Sequence, residues 1–467
     1  MIAISKEIGK GTSGTVHRFE NSAIKSIKDS EAQESIYITE TTMCKYLASE
    51  YTINCFNFNI GASQICMELG LPVAEYIEHN PLQLKPVVDQ LLKGIIYIHS
   101  LGIVHLDIKP DNMVVVENKL KLIDFGLSEY TADRKIGQAY SFCYRPPELF
   151  SDTFQQVSES MDYWATGIVI LELLLGHNPV ESLLRSDPRL YMSILLGVYE
   201  NKDVWSIVTT CASQEIQNKF IDSVENSDKA YYRSLVSSLL QLVPDKRKIP
   251  GLSCDFKMTF AKQELTDFKN QGIKSVAMGW VHDIINTFGL TTHALYLTAK
   301  IIYESLTFDT ANRDIQTILC ASLYLASILV DDVLDLELLA DKTDGAVTSE
   351  DIRTTAHQIL LAQDYNIRAN DGYLCLLNKK PSEEYRETLN KFYTIMTYDP
   401  WFFTVNPHLV LETFEEIRDK KLIEKITVKS IDEKVNKEDI YQRLVRVVKD
   451  FDKIYAKHTK IRHQILI

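Results

Sequence analysis

Long apolar runs are missing from this chain. The longest nearly uncharged stretch runs from Ile315 to Val330 between Asp314 and Asp331. At 16 residues it falls short of the roughly 20 that a membrane-spanning helix requires, and it reads as a buried helix. Metal-ligand cysteine spacing is missing too. Cys44, Cys55, Cys66, Cys143, Cys211, Cys254, Cys320 and Cys375 lie far apart, without a C-x-x-C pair or a nearby His-x-x-x-His. That pattern argues against a zinc site and for buried free thiols in a reducing compartment. Basic charge is in short supply: 50 Lys and Arg face 63 Asp and Glu, a net charge of −13. A general binder of nucleic acid or anionic membrane is therefore not expected. The opening MIAISKEIGKG carries charges where a signal peptide needs an apolar run. The expectation is a soluble intracellular protein, nuclear or cytoplasmic. With 467 residues, 45% apolar and 24% charged, the chain has the composition of two or three globular domains.

Two kinds of periodicity divide it. Residues 1–70 mix short β-rich runs with turns; Thr15–Phe19 and Ser22–Lys25 flank Glu20-Asn21, as in a hairpin. Apolar positions recur at helical spacing over Lys85–Leu101 and Asp162–Leu175. HLDIKPDN and KLKLIDFGL between them read as short strands and loops. After the basic run Lys246-Arg247-Lys248 and the break at Pro250-Gly251, helical patterns take over. The clearest joins Ile273, Val276, Ala277, Trp280, Val281, Ile284 and Ile285 on one helix face. Others cover 291–306 and 314–330, with weaker ones at 348–362, 384–397 and 437–456.

The first half carries the chemistry. Gly9, Gly11, Gly14 and Val16 fit G-x-G-x-x-G-x-V. Glycine suits a backbone folded closely over phosphate oxygens, and the strand that follows argues against a dinucleotide-binding unit. Ala23-Ile24-Lys25 places a lysine on the next strand, where it could hold phosphates. His105-Leu106-Asp107-Ile108-Lys109-Pro110-Asp111-Asn112 sets a carboxylate near an acceptor hydroxyl and an amide oxygen five residues on. Twelve residues later Asp124-Phe125-Gly126 supplies a second carboxylate, and Pro146-Pro147-Glu148 closes the segment.

In this order and spacing the motifs of residues 4–250 resemble the eukaryotic Ser/Thr protein kinases. Asp162-Tyr163-Trp164-Ala165-Thr166-Gly167 and Pro244-Asp245-Lys246-Arg247 are further matches. The resemblance implies ATP and Mg²⁺ as cofactors and a Ser or Thr hydroxyl of a protein as acceptor. Asp107 would orient the hydroxyl and take its proton, and Lys109 would neutralise the transferred phosphate. Asn112 and Asp124 would hold Mg²⁺. Lys25 would bind phosphates while paired with a helix glutamate, for which Glu40 is the choice over Glu34 and Glu31. Met67, Glu68 and Gly70 would lie along the adenine-binding hinge, and for Met67 a plain core position fits equally well. Arg247 would pair with Glu148 in a structural role. Arg145 resembles the proline-directed group, from which Ala139-Tyr140 departs.

The helical half resembles a cyclin over 265–375, with a weaker second repeat at 376–467. IKSVAMGWVHDIINTFGL is similar to the first cyclin-box helix. LCASLYLASILVDD is similar to the central one, where Ala321, Ala326 and Ser327 would admit close neighbours. Glu34–Glu40 resembles the helix by which cyclin-dependent kinases contact their cyclins. The family's interface Lys and Glu fall on Ile328 and Ala356, so both charges are gone together. The stripe around Trp280 is either core or a docking groove for substrate peptides.

The expected fold is therefore an α+β bilobal protein kinase followed by an all-α cyclin-like domain. The small lobe takes 1–70, the large lobe 71–250 and a linker 251–264. The function implied is a Ser/Thr kinase of cyclin-dependent-kinase type, activated by an intramolecular kinase–cyclin contact. The alternative is a pseudokinase or scaffold that recruits other cell-cycle proteins. One departure bears on regulation. The three arginines that clamp an activating phosphothreonine in cyclin-dependent kinases are here Thr39, Leu106 and Glu129, and the phosphothreonine itself is Ile136. Activity without activation-segment phosphorylation is expected, the competing idea being a relocated site at Tyr130, Thr131 or Tyr140 paired with Arg134 or Lys135.

Overall fold

The computed structural model describes residues 6–11, 14–28, 31–130, 140–150, 156–186, 226–252, 271–305 and 314–368, with a few isolated positions beyond. Two compact units divide the chain, Met1–Lys257 and Met258–Ile467. Arg134, Lys135, Ile136 and Thr131 lie outside the described residues. So do 253–270 and nearly all of 376–467, with the linker and second repeat expected there.

The first unit opens on an antiparallel sheet in the order β1-β2-β3-β5-β4. Its strands are β1 (Lys6–Lys10), β2 (Gly14–Phe19), β3 (Ser22–Ile27), β4 (Cys55–Asn59) and β5 (Gln64–Glu68). β2 and β3 form the hairpin, turning through Glu20 at φ 51°. Gly14 has no alternative residue: a Cβ there would stand 2.2 Å from the Ser26 carbonyl oxygen on β3. Between β3 and β4 runs α1 (Glu31–Tyr46), which starts well before the run Met43, Tyr46, Leu47 that reveals it in the sequence. Thr41 and Thr42 hide the earlier turns. Their hydroxyls donate to the Tyr37 and Ile38 carbonyls at 2.8 Å, so polar residues sit buried within the helix.

The helical lobe contains α2 (Val73–His79), α3 (Leu84–Ser100), α4 (Glu159–Leu175), α5 (Pro179–Ser186) and α6 (Asn226–Leu239). Short strands β6 (Leu71–Pro72), β8 (Met113–Val116) and β9 (Lys119–Leu122) make one small sheet. β7 (Ile103–Val104) and β10 (Glu129–Tyr130) pair in another. α4 is mostly apolar and almost wholly buried, as befits a helix at the centre of its lobe. Ser158 caps its start by accepting from the Ser160 amide, and Gly176 ends it in the left-handed region at φ 72°. No single described helix is long and apolar enough to cross a membrane.

Described residues of the second unit form α7 (Gln271–Phe288), α8 (Thr292–Ser305), α9 (Ile315–Val330), α10 (Leu336–Asp341) and α11 (Ser349–Ala362). α9 is central and packs against the other four. Ala321, Ala326 and Ser327 are fully buried on it, and the Ser322 and Ser327 hydroxyls donate back to Ile318 and Tyr324 at 2.7 Å. Asp331 at its end accepts from the Thr291 amide at 2.6 Å, which fixes the entry to α8. α11 starts on a capping box between Thr348 and Asp351. Ile328 and Ala356 are both buried, and Trp280 is half-buried.

Candidate active site

Lys25 is the electrostatic centre. On β3 it stands opposite Val16 of β2, which in turn stands opposite Gly9 of β1. Its ammonium lies 2.8 and 2.6 Å from the two oxygens of Glu40 on α1 and 2.8 Å from Asp124 Oδ1. A lysine this buried is stable only because it is paired. Burial alone would lower its pKa, but the two carboxylates raise it above the ordinary lysine value, so it stays charged. Burial pushes the Glu40 carboxyl up to about 7, an effect that Lys25 only partly offsets. Glu34 and Glu31 sit further back on the same helix. The choice of partner follows from the Lys25 register and α1, which meet at Glu40.

Asp124 enters through a backbone turn in the left-handed region, φ 63°. Gly126 follows it so closely under α1 that a Cβ would meet Ile36 Cγ2 at 2.8 Å, with Glu40 and Asp124 each 3.6 Å away. Burial acts against its charge, but Lys25 outweighs it and holds the Asp124 carboxyl below the usual range.

Across from this cluster, Asp107 Oδ2 accepts from Lys109 Nζ at 2.7 Å and from Asn112 Nδ2 at 2.8 Å. Asn112 Nδ2 also donates to the Asp107 carbonyl, which leaves the side-chain oxygen as the amide's acceptor atom. Ser141 Oγ lies 3.2 Å from Lys109 Nζ and 3.4 Å from Asp107 Oδ1. Ala23 and Met67 face each other across β3 and β5, and both are buried. The Glu68 carboxylate pairs with Lys121 at 2.8 Å and accepts from the Asn54 amide. Gly70 comes hard against Val114, 2.6 Å from where its Cβ would be, in the connection from β5 to β6. Arg247 grips both Glu148 oxygens at 2.6 and 2.7 Å and lies over the Trp164 ring at 5.0 Å.

Three residues organise the site without having been singled out for it. Asp162, wholly buried on α4, accepts from His99 Nε2 at 2.9 Å and the His105 amide at 2.7 Å. It also accepts from the Leu106 amide at 3.1 Å and the Tyr140 hydroxyl at 2.8 Å. Burial would raise its pKa, but these donors hold the carboxyl below the usual range. Tyr140 is buried at φ 65°; its amide donates to the Leu106 carbonyl at 3.1 Å, and the Arg145 guanidinium donates to the Tyr140 carbonyl at 3.1 Å. Ser141 then reaches Asp107 and Lys109. The D-x-W stretch pointed at Asp162, whereas nothing local points at Tyr140.

At the positions of the missing phosphate clamp, Leu106 is buried at φ 65° and Thr39 is buried on α1. Tyr130 and Tyr140 are buried as well. Burial and the Asp162 charge push the Tyr140 phenol well above its ordinary value, so it remains a donor.

A buried lysine between two carboxylates, facing an aspartate, lysine and asparagine on one short loop, is the layout of a phosphotransferase. Comparison with known proteins agrees. The protein kinase domain model matches residues 2–251 and the cyclin N-terminal domain model matches 256–368. Mitogen-activated protein kinase 14 of Xenopus laevis is 32% identical over 133 residues, covering 28% of this chain and 37% of that protein. Mitogen-activated protein kinase 13 of Mus musculus is 38% identical over 111 residues, 24% of this chain and 30% of its own. Mitogen-activated protein kinase mpkC of Aspergillus oryzae is 29% identical over 194 residues, 38% and 55% respectively. The chain thus spans about a third to just over half the length of these relatives. It belongs to the protein kinase family and carries a cyclin domain in the same polypeptide.

Proposed function

We propose that the chain is an ATP-dependent Ser/Thr protein kinase activated in cis by its own cyclin-like domain. The observation that carries the reading is the Lys25 ammonium held between Glu40 and Asp124. It is a fixed positive charge beside a carboxylate that is one-third exposed and available to a metal-bound nucleotide. At Gly9 and Gly11 a Cβ would meet nothing nearer than 3.6 Å. Asp124 and Asn112 offer two oxygen donors, the number Mg²⁺ takes from a protein when phosphates supply the rest. Bound there, Mg²⁺ would neutralise charge on the phosphate oxygens.

Asp107 orients the acceptor hydroxyl and takes its proton, with Lys109 and Asn112 fixing the carboxylate. Lys109 also bears on the incoming phosphate charge. Lys25 binds the nucleotide phosphates. The Tyr140 carbonyl is turned to Arg145, so it does not accept from a substrate amide. A residue without an N–H, proline, suits the position after the phosphoacceptor. The cyclin-like domain acts on the kinase domain from the same chain, at an effective concentration on the order of mM for a short tether.

Phosphorylation of the activation segment is unnecessary because Tyr140 secures its end through three hydrogen bonds. The full chain treated with phosphatase should keep its activity toward Ser/Thr-Pro peptides and yield phosphoserine or phosphothreonine from ATP. Loss of most activity, restored by an upstream kinase, would refute this. Tyr140→Phe removes one bond to a buried carboxylate. It should lower kcat/KM for peptide roughly tenfold with the KM for ATP within about twofold. Equal loss in both parameters would mean that Tyr140 acts on the whole fold instead.

A further inference from the structure

Cys44 and Cys55 play no part in the site, yet their sulfurs lie 3.1 Å apart and both are free thiols. Cys44 is buried on α1, one turn beyond Glu40, and Cys55 is half-buried at the start of β4. A disulfide needs the sulfurs about 1 Å closer. β4 is hydrogen-bonded to β5, and β5 to β3, the strand that carries Lys25. A bond between the two cysteines would therefore tie the helix bearing Glu40 to the sheet bearing Lys25.

We propose that Cys44 and Cys55 are a redox modification site that closes to a disulfide with a low-molecular-weight disulfide such as glutathione disulfide. The more accessible Cys55 thiolate attacks one glutathione sulfur; a mixed disulfide forms and one glutathione thiolate leaves and is protonated. Cys44 then gives up its proton and attacks Cys55 Sγ, expelling the second glutathione. The protein loses two hydrogens, and glutathione disulfide takes up the two electrons as two thiols. The hydrogen bond to Cys55 and burial push the Cys44 thiol well above its ordinary value. Cys44 is accordingly a thiol at neutral pH, and closure speeds up as pH rises. Cys66 on β5, also half-buried, is the rival partner for Cys55.

The pairing does not depend on the kinase reading; only its effect on phosphate transfer does. The full chain, incubated with glutathione disulfide at about pH 8, should become lighter by two hydrogens, with the Cys44 and Cys55 peptides joined. Amide exchange along α1 should slow roughly tenfold, and a thiol reductant should reverse both changes. Cys55→Ser should abolish the cross-link, and Cys66→Ser should preserve it. A lasting glutathione adduct, a Cys55–Cys66 bond or no reaction would each overturn the proposal. If the cross-link forms while neither redox state transfers phosphate, the pairing stands and the kinase reading fails.

Discussion

Asp107→Asn should leave a folded protein that binds ATP and transfers almost no phosphate. The wild-type carboxylate accepts from Lys109 Nζ and Asn112 Nδ2 through one oxygen. An asparagine can turn its amide oxygen to the same two donors, so the loop keeps its shape. What is lost is the basicity and the charge of a carboxylate. Turnover should fall by at least about 10², with ATP affinity within roughly twofold, since Asp107 does not touch Lys25 or Asp124. Steady-state phosphorylation combined with nucleotide titration separates the two effects. A variant with wild-type turnover would remove Asp107 from the chemistry.

Asp162→Asn should damage the site from beneath. Its two oxygens take four donors in a fully buried setting. An asparagine presents one oxygen and an NH₂ that faces N–H or O–H groups on the same side. At least one buried donor is stranded and a compensating charge disappears, a loss of about 3 kcal/mol. Because the loop carrying Asp107 hangs from Asp162 through the His105 and Leu106 amides, turnover should drop on the order of 10². The pH dependence has a definite sign. The carboxyl pKa is depressed on folding, so its contribution is present above the unfolded value of about 4 and lost as pH falls through the folded one. Acid unfolding of the variant should lack that component. Denaturant midpoints across acid pH would show it, and parallel curves for both proteins would contradict it.

Much of the site could be read from spacing, because its parts belong to short local motifs. Lys25 follows the glycine loop on the next strand, and Asp107, Asn112 and Asp124 fall within two adjacent turns and strands. Glu40 needed a further step, from the helix position alone. Its helix was harder to see, since the buried threonines of α1 satisfy their hydroxyls internally and blur the apolar stripe. Tyr140 and the Cys44–Cys55 contact were illegible for a different reason. Each depends on residues brought together by the tertiary fold, Tyr140 with Asp162 across 22 positions and the two sulfurs across a helix and a strand. In the second unit, the small residues of α9 announced a central helix, and the structure packs four others around it.

On the proposed function, kinase and activator act within one chain. The direct measurement is specific activity of the full protein over a roughly thousandfold dilution, with molecular mass recorded at each concentration. A tethered activator predicts constant specific activity from a species of single-chain mass. Activity that falls with dilution, or that belongs only to a species of twice that mass, would contradict activation in cis.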